Sequence, residues 1–539
     1  MNVLGVAGGF YVGNQDASAT LMRDGKIIAA VEEERLCNEK FARGRMPTRA
    51  IRAVLAEAKM SIEQVDVVAT SWPTYPDFRQ RLEEYFRFTF GHCPRIQQYD
   101  HHLCHAASTF FASGFDHATV VTYDLSGDNT STALWRGAGS EITPLVTIKR
   151  PNSLGIFYSI ITQYLGFDRD SDEYKVMGLA AYGEPKFDLS FLLKSQNGSY
   201  DLDLSYTAYA SRKDTGNRDE SLFNEKLERE LGIPPRRSGR AIDKTYIDLA
   251  ASCQTRLEDV VIGMLKSNVR QGERLCIAGG VGLNCSLNGK LAATRHFGDI
   301  YIQPAAGDDG LSLGAAYLAS IEGGDAVQPM ADAFLGPSYS TATVKKWLDI
   351  YQLRYTEVAD PAESAAQLVA QGKIVGWFQG RMEFGPRALG ARSILADARQ
   401  AEMKNEINAR VKFREEFRPF APSVLVEDRE RYFVCPQESP YMTMAVPVTP
   451  TGAADLPATT HANGTARVQT VDAARNAQYH RLISSFKDIT GGCGAVLNTS
   501  LNVMGQPLSC SPADAIRVFS CSGMDALVIE SFLVEKERA

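Results

Sequence analysis

Residues 99–128 read YDHHLCHAASTFFASGFDHATVVTYDLSGD. Three of the chain's eight histidines, His101, His102 and His105, fall within five residues. His101 and His105 are four apart, so on a helix their imidazoles point the same way and can grip one ion. The helix gives way to a β-branched run at 118–123, which reads as a strand. That strand ends in Asp124, Ser126, Gly127 and Asp128, a carboxylate-and-glycine turn suited to metal and phosphate. Two helical imidazoles and a strand-end carboxylate can form a mixed N/O metal site, the alternative being a His pair that only packs the helix.

Outward from this stretch the chain alternates strands and helices. Residues 2–35 read strand, Gly-rich turn, strand, Asp24-Gly25 turn, strand, a hairpin that resembles the first phosphate loop of actin-like ATPases. Residues 48–58 have helical spacing and 65–70 form a strand, which is β-α-β layering and so an α/β domain. After Asp124 the sequence SGDNTSTALW repeats strand, small-residue turn, strand. Residues 154–165 read as a core helix, and DSDEYKVMG at 170–178 as a loop. The polar, irregular segment 190–245 reads as an insertion forming a lid or substrate wall. A long helix over 246–268 follows. The strand 275–278 runs into GGVGLNCSLNGK, where glycines and a helix N-terminus suit a nucleoside or its phosphates. Asp308 and Asp309 open the next helix and offer a fourth metal ligand.

Composition shifts over 322–340, which marks a linker before a second α/β unit. That unit carries Arg381, Glu383, Arg387 and Arg392 in one glycine-rich loop, Lys412, Arg414 and Arg418 in KFREEFRPFAP, and Arg467 in HANGTARVQTV. Asn498, Ser500 and Asn502 follow in LNTSLNVMGQP. Arginines among Gly, Pro and Phe are not a solvated face, and their planar forks match phosphate or carboxylate oxygens. The reading is an anion site.

At 539 residues the chain exceeds one hydrophobic core, so several domains are expected. A net charge of −7 without a basic stripe argues against nucleic acid as a partner. Ten cysteines without a CxxC pair read as reduced thiols of a cytoplasmic protein. The opening MNVLGVAGG reads as a buried strand rather than a signal peptide, and no apolar run reaches membrane-spanning length.

In combination, DHHLCHAAS, YDLSGDN, EYKVMGLAAYG, GGVGLNCSLNGK, GDDGLSLGAA, FGPRALGARSIL, FREEFRPFAPSV, GTARVQTV and LNTSLNVMGQP resemble the antibiotic and nodulation-factor O-carbamoyltransferases. The resemblance covers essentially the whole chain. It implies an α/β protein in two parts: residues 1–336 as an actin-like ATPase domain of two ribonuclease H-like lobes, and 337–539 as a YrdC-like domain. It implies an enzyme that makes carbamoyl-adenylate from carbamoyl phosphate and ATP, releasing phosphate and pyrophosphate. The carbamoyl group then passes to a hydroxyl of a small, antibiotic-like natural product.

Residue by residue, the resemblance implies iron(II) on His101, His105, Asp124 and Asp308, a donor set that also suits manganese or zinc. Mg2+ accompanies ATP. Carbamoyl phosphate falls to Arg387, Lys412, Arg418, Arg467, Asn498 and Ser500, with Lys412 and Arg418 also acting in catalysis. The adenylate faces Ser126, Gly127, Lys175, Gly178, Gly279, Gly280 and Asn284. A strand at 441–444, with Met442, and the 190–245 insertion are expected to line the acceptor pocket. One departure stands out. The family pattern HDASA has a His where this chain has Gln15, and a neutral amide takes no proton near pH 7. Gln15 is therefore expected to orient the acceptor, leaving the proton to Asp16, a phosphate oxygen or a metal-bound hydroxide. The competing readings are a tRNA threonylcarbamoyl-transfer enzyme, a small-molecule kinase on the actin-like fold and a non-catalytic metal-binding scaffold.

Overall fold

In the computed structural model, residues 1–10, 15–208 and 220–536 are described. The chain begins with an antiparallel meander of β1 (Asn2–Ala7), β2 (Ser18–Arg23) and β3 (Lys26–Glu32). Asp24 (φ 49°) and Gly25 (φ 75°) both sit in the left-handed region, as a tight hairpin turn requires. β4 (Val67–Thr70) and β5 (Arg95–Gln98) then add in parallel, giving the order β3-β2-β1-β4-β5.

A second sheet repeats this plan. β6 (His117–Gly127), β7 (Thr130–Ala138) and β8 (Glu141–Lys149) form another antiparallel meander. A separate hairpin, β9 (Leu193–Gln196) and β10 (Ser199–Leu202), intervenes. β11 (Leu275–Ala278) and β12 (Ile300–Ile302) then join β6 in parallel, giving the order β12-β11-β6-β7-β8. Counted from its own first strand, each sheet runs third, second, first, fourth, fifth. The recurring strand–turn–strand signal in the sequence thus belongs to a whole repeated topology. β4 and β11 are buried along their length, so both read as continuous apolar runs.

The helix His101–Ser113 begins where the Asp100 side chain accepts the Leu103 N–H at 2.9 Å and ends at Gly114 (φ 71°). It packs against the helix Leu311–Glu322, with Ala106, Ala107, Ala315 and Ala316 fully buried, so small side chains let the two axes approach closely. This pair lies in the apolar core shared by residues of both lobes and holds the histidines in place.

The third sheet is mixed. It is built from β13 (Thr356–Glu357), β14 (Val375–Phe378), β15 (Arg392–Ala396) and β16 (Ala421–Leu425). A two-stranded hairpin, β17 (Ala445–Pro447) and β18 (Thr465–Arg467), stands apart from it. β19 (Gln469–Val471), β20 (Ala495–Ser500), β21 (Ala526–Ile529) and β22 (Phe532–Glu535) complete the order β13-β22-β21-β14-β15-β20-β16-β19. The β17–β18 hairpin lies against the helix Cys285–Ala293, whose Asn288 donates to the Thr443 carbonyl at 2.9 Å.

Three local expectations are corrected. Residues 441–444 do not form a strand: Met442 has φ 56°, which breaks the extended run, and pairing starts at Ala445. Residues 170–178 are not all loop, since Glu173–Ala180 is a helix whose Val176 and Leu179 enter the core. The segment 190–245 is not irregular throughout. It holds the β9–β10 hairpin and the helix Glu225–Leu231, and buries Leu193, Leu202, Tyr206, Leu222 and Leu227 in the core. Its middle, 209–219, lies outside the described residues. Among the described residues, no helix is long and apolar enough to cross a membrane.

Candidate active site and metal centre

His101 and His105 emerge from one helix face and meet two carboxylates delivered by strand and helix ends. His101 Nε2 is 3.3 Å from Asp124 Oδ2 and 3.6 Å from Asp308 Oδ1. His105 Nε2 is 3.4 Å from Asp124 Oδ2 and 3.5 Å from Asp308 Oδ1. One donor atom from each of the four residues lies within 4.8 Å of the others. Two aromatic nitrogens and two hard oxygens converging at this spacing fit a divalent ion. Burial would raise Asp124, yet His101 and His105 hold its carboxyl well below the usual range. Burial would lower His105, but hydrogen bonds and charge from Asp124 and Asp308 carry it up to about 9.

The surroundings fix this quartet. Asp128 accepts the His101 backbone N–H at 2.9 Å. The Trp72 ring lies 4.7 Å from that of His101, on a backbone with φ 75°. Gly127 permits the close approach: a Cβ there would fall 2.0 Å from the His101 ring. The third histidine has another role. His102 Nδ1 meets Thr122 Oγ1 at 2.9 Å and its Nε2 meets the Thr130 carbonyl at 3.1 Å, so it is a satisfied core residue. Asp128 belongs to the turn the sequence singles out, but its bond to the His101 backbone is visible only in the fold, and Trp72 carries no spacing signal toward His101 at all.

A single cavity of about 1340 Å³ runs from Asp124 and Asp308 to the cations of the C-terminal half. Arg387, Lys412, Arg414, Arg418 and Arg467 line that far end, and the described lining residues of that half include no carboxylate. Burial and neighbouring guanidinium charge depress Arg387 and Arg414. Burial, Arg414 and Arg418 push Lys412 well below the usual lysine range. Its Nζ donates to Asn502 Oδ1 at 2.7 Å, the Asn502 carbonyl at 3.0 Å and Ser500 Oγ at 3.2 Å. Like charges gathered away from water cost several kcal/mol each unless an anion joins them. The cluster is thus built for a small, highly charged anion.

Not every arginine of the glycine-rich loop belongs here. Arg392 is fully buried and spends its guanidinium on the carbonyls of Gln379, Gly380, Ala391 and Pro337. Arg381 likewise serves the carbonyls of Gly336, Ile28 and Leu335. Arg414, part of the expected anion site but not of the carbamoyl-phosphate set the resemblance implies, lines the cavity as well.

Between the two ends the cavity wall includes Gln15, Asp16, Ser126, Gly127, Lys175, Gly280, Asn284 and Met442. Gly178 and Gly279 do not line it; Gly178 packs near Pro419, and Gly279 (φ 90°) turns behind the Tyr123 backbone. Asn284 has its amide engaged, capping Leu287 N–H at 3.0 Å and pairing with Gln254 at 2.9 Å. Asn498 similarly donates to Ser423 Oγ at 3.0 Å and Gln469 Oε1 at 3.1 Å. Lys175 is ion-paired with Asp172 at 2.9 Å and with Glu415 of the C-terminal half at 3.5 Å. Asp16 (φ 56°) is half-buried; desolvation, then the nearby charges of Asp309, Asp308 and Glu34, raise its carboxyl well above the usual range.

The carbamoyltransferase N-terminus family profile matches residues 79–317, and the carbamoyltransferase C-terminus profile matches 366–536. The nodulation protein NolNO of Sinorhizobium fredii is 38% identical, over 97% of this chain and 79% of that protein. The uncharacterized protein sll1178 of Synechocystis is 37% identical, over 99% of this chain and 97% of its own length. The 3'-hydroxymethylcephem-O-carbamoyltransferase of Amycolatopsis lactamdurans is 31% identical, over 68% of this chain and 65% of that enzyme.

Proposed function

The chain belongs to the carbamoyltransferase family, and we propose that it is an ATP-dependent O-carbamoyltransferase acting through carbamoyl-adenylate on a small-molecule alcohol. In this reading residues 1–336 form the actin-like, carbamoyl-transferring part and 337–539 the YrdC-like, adenylate-forming part. The observation that carries it is the single cavity with a cationic cluster at one end and a His/Asp quartet at the other.

Carbamoyl phosphate is a small dianion, and it sits among Arg387, Lys412, Arg414, Arg418 and Arg467. Water cleaves it to inorganic phosphate and carbamate. A carbamate oxygen attacks the α-phosphorus of ATP, brought in with Mg2+, and pyrophosphate leaves. The cations hold the charge that builds on the transferring phosphoryl oxygens. Carbamate decomposes in water, so the site must exclude bulk solvent. The mixed anhydride then moves along the cavity past Lys175 and the Ser126–Gly127 turn.

At the other end, His101, His105, Asp124 and Asp308 would hold a divalent ion, with iron(II) favoured. Such an ion supplies Lewis acidity toward an oxygen of the intermediate. The acceptor hydroxyl oxygen forms the new bond to the carbamoyl carbon, and AMP leaves. Gln15 orients the hydroxyl, Asp16 takes its proton, and Met442 contributes apolar wall to the acceptor. A kinase on this fold would leave ADP; this reaction leaves AMP, pyrophosphate and phosphate in equal amounts. Product analysis after incubation with ATP, carbamoyl phosphate and a set of alcohols tests the reading, and ADP as the sole nucleotide product would refute it.

A further inference from the structure

A buried ion pair at the end of β3 grips the loop that carries Arg387. Glu32, the last residue of β3, and Arg35, three residues on, are each 3% exposed. Arg35 Nη2 donates to Glu32 Oε1 at 2.7 Å. The same Nη2 donates to the Gly385 carbonyl at 2.6 Å, and the Gly385 N–H donates to Glu32 Oε1 at 2.7 Å. Both the N–H and the carbonyl of Gly385, in the two peptide units that flank its Cα, are therefore gripped by one pair from the first lobe, 353 residues away for Glu32.

Gly385 stands two residues before Arg387. Its φ of 111° suits glycine, and a Cβ there would lie 2.8 Å from the Pro304 carbonyl oxygen and 3.2 Å from Ala305 N. The loop that carries Arg387 thus presses its backbone directly on the loop that carries Asp308. Both clamp residues also border the cavity between the two ends.

We propose that Glu32 and Arg35 are positioning residues that fix the Gly385 peptide against the Asp308 loop and thereby place Arg387 for carbamoyl phosphate. This rests on the functional reading above. Buried charge pairs stabilise little compared with an apolar pair of similar shape, whereas losing one partner costs several kcal/mol. The pair's contribution therefore lies in the loop contacts it makes at Gly385.

The test compares wild type with Glu32→Gln, Arg35→Met and the double variant, using AMP formation at varied carbamoyl phosphate and varied ATP. The double variant removes both charges of the Glu32–Arg35 pair; Glu34 loses Arg35, 3.3 Å away, but keeps the Phe41 N–H at 2.8 Å, and the variant is expected to fold. It should raise the KM for carbamoyl phosphate by about 10-fold or more, with KM for ATP and bound metal unchanged and kcat within about 3-fold. A folded double variant with wild-type KM for carbamoyl phosphate would overturn the proposal. So would an equal rise for both substrates, or a double variant that does not fold. Wild type that forms no AMP would instead refute the functional reading. Calorimetric binding of inorganic phosphate then decides the clamp independently, with about 10-fold weaker binding expected in the double variant and equal binding contradicting it.

Discussion

The Nε2 atoms of His101 and His105 lie 3.1 Å apart, each facing the same two carboxylates. Two imidazole nitrogens held that close, with Asp124 and Asp308 opposite, favour a cation at their centre over mutual hydrogen bonding. Asp308→Asn should lower bound divalent metal by about 10-fold or more while far-ultraviolet dichroism is retained. Metal analysis after dialysis checks this, and unchanged content would contradict the assignment.

His102 is expected to behave oppositely to its neighbours. Its two ring nitrogens are satisfied by Thr122 and Thr130, and Trp135 Nε1 shares the Thr122 hydroxyl at 3.2 Å. His102→Ala strands these partners in the core and should cost about 1–3 kcal/mol in denaturant unfolding. Metal content per folded chain should not change.

The cationic end should respond to anions. Inorganic phosphate at about 100 times its Kd should stabilise the protein by about 2.7 kcal/mol. Arg387→Met should remove most of that gain. Without phosphate the same variant should melt no lower than wild type, because one of the clustered like charges is gone. Differential scanning fluorimetry with and without phosphate reads both effects.

Lys412 ties this end to pH. Burial, Arg414 and Arg418 hold its ammonium well below the usual lysine range in the free protein. A bound dianion favours the charged form, so binding takes up a proton wherever free Lys412 is deprotonated. Phosphate affinity therefore falls as pH rises through the depressed value. In the same window, up to the ordinary lysine value, the unfolded chain holds the proton that the fold releases. This group's contribution to stability accordingly rises with pH. Calorimetry in buffers of different ionisation enthalpy should detect the proton uptake in wild type and its loss in Lys412→Met.

Much of this arrangement was legible in the sequence where local periodicity carries it. The i, i+4 histidines, the β-branched run ending at Asp124 and the Gly-flanked Asp308 each announce themselves within a few residues. Legibility fails where partners are distant. Arg381, Arg387 and Arg392 share one glycine-rich loop, and only the carbonyls around Arg381 and Arg392 separate scaffold from cavity. Residues 441–444 read as a strand in the sequence, but Met442 turns left-handed. Glu32 and Arg35 read as a charged strand end, because nothing nearby in sequence reveals the Gly385 peptide they grip.

The central claim is that one polypeptide passes the activated carbamoyl group from Arg387, Lys412, Arg418 and Arg467 to the His101–Asp308 end without releasing it. Mixing two inactive variants tests this most directly: Arg418→Ala, lacking the first step, and Asp308→Asn, lacking the second. Each keeps the other half intact. Internal transfer predicts no carbamoylated product from the mixture beyond the sum of the separate samples. Recovery of product on mixing would mean that the intermediate travels through solvent, and would contradict the account.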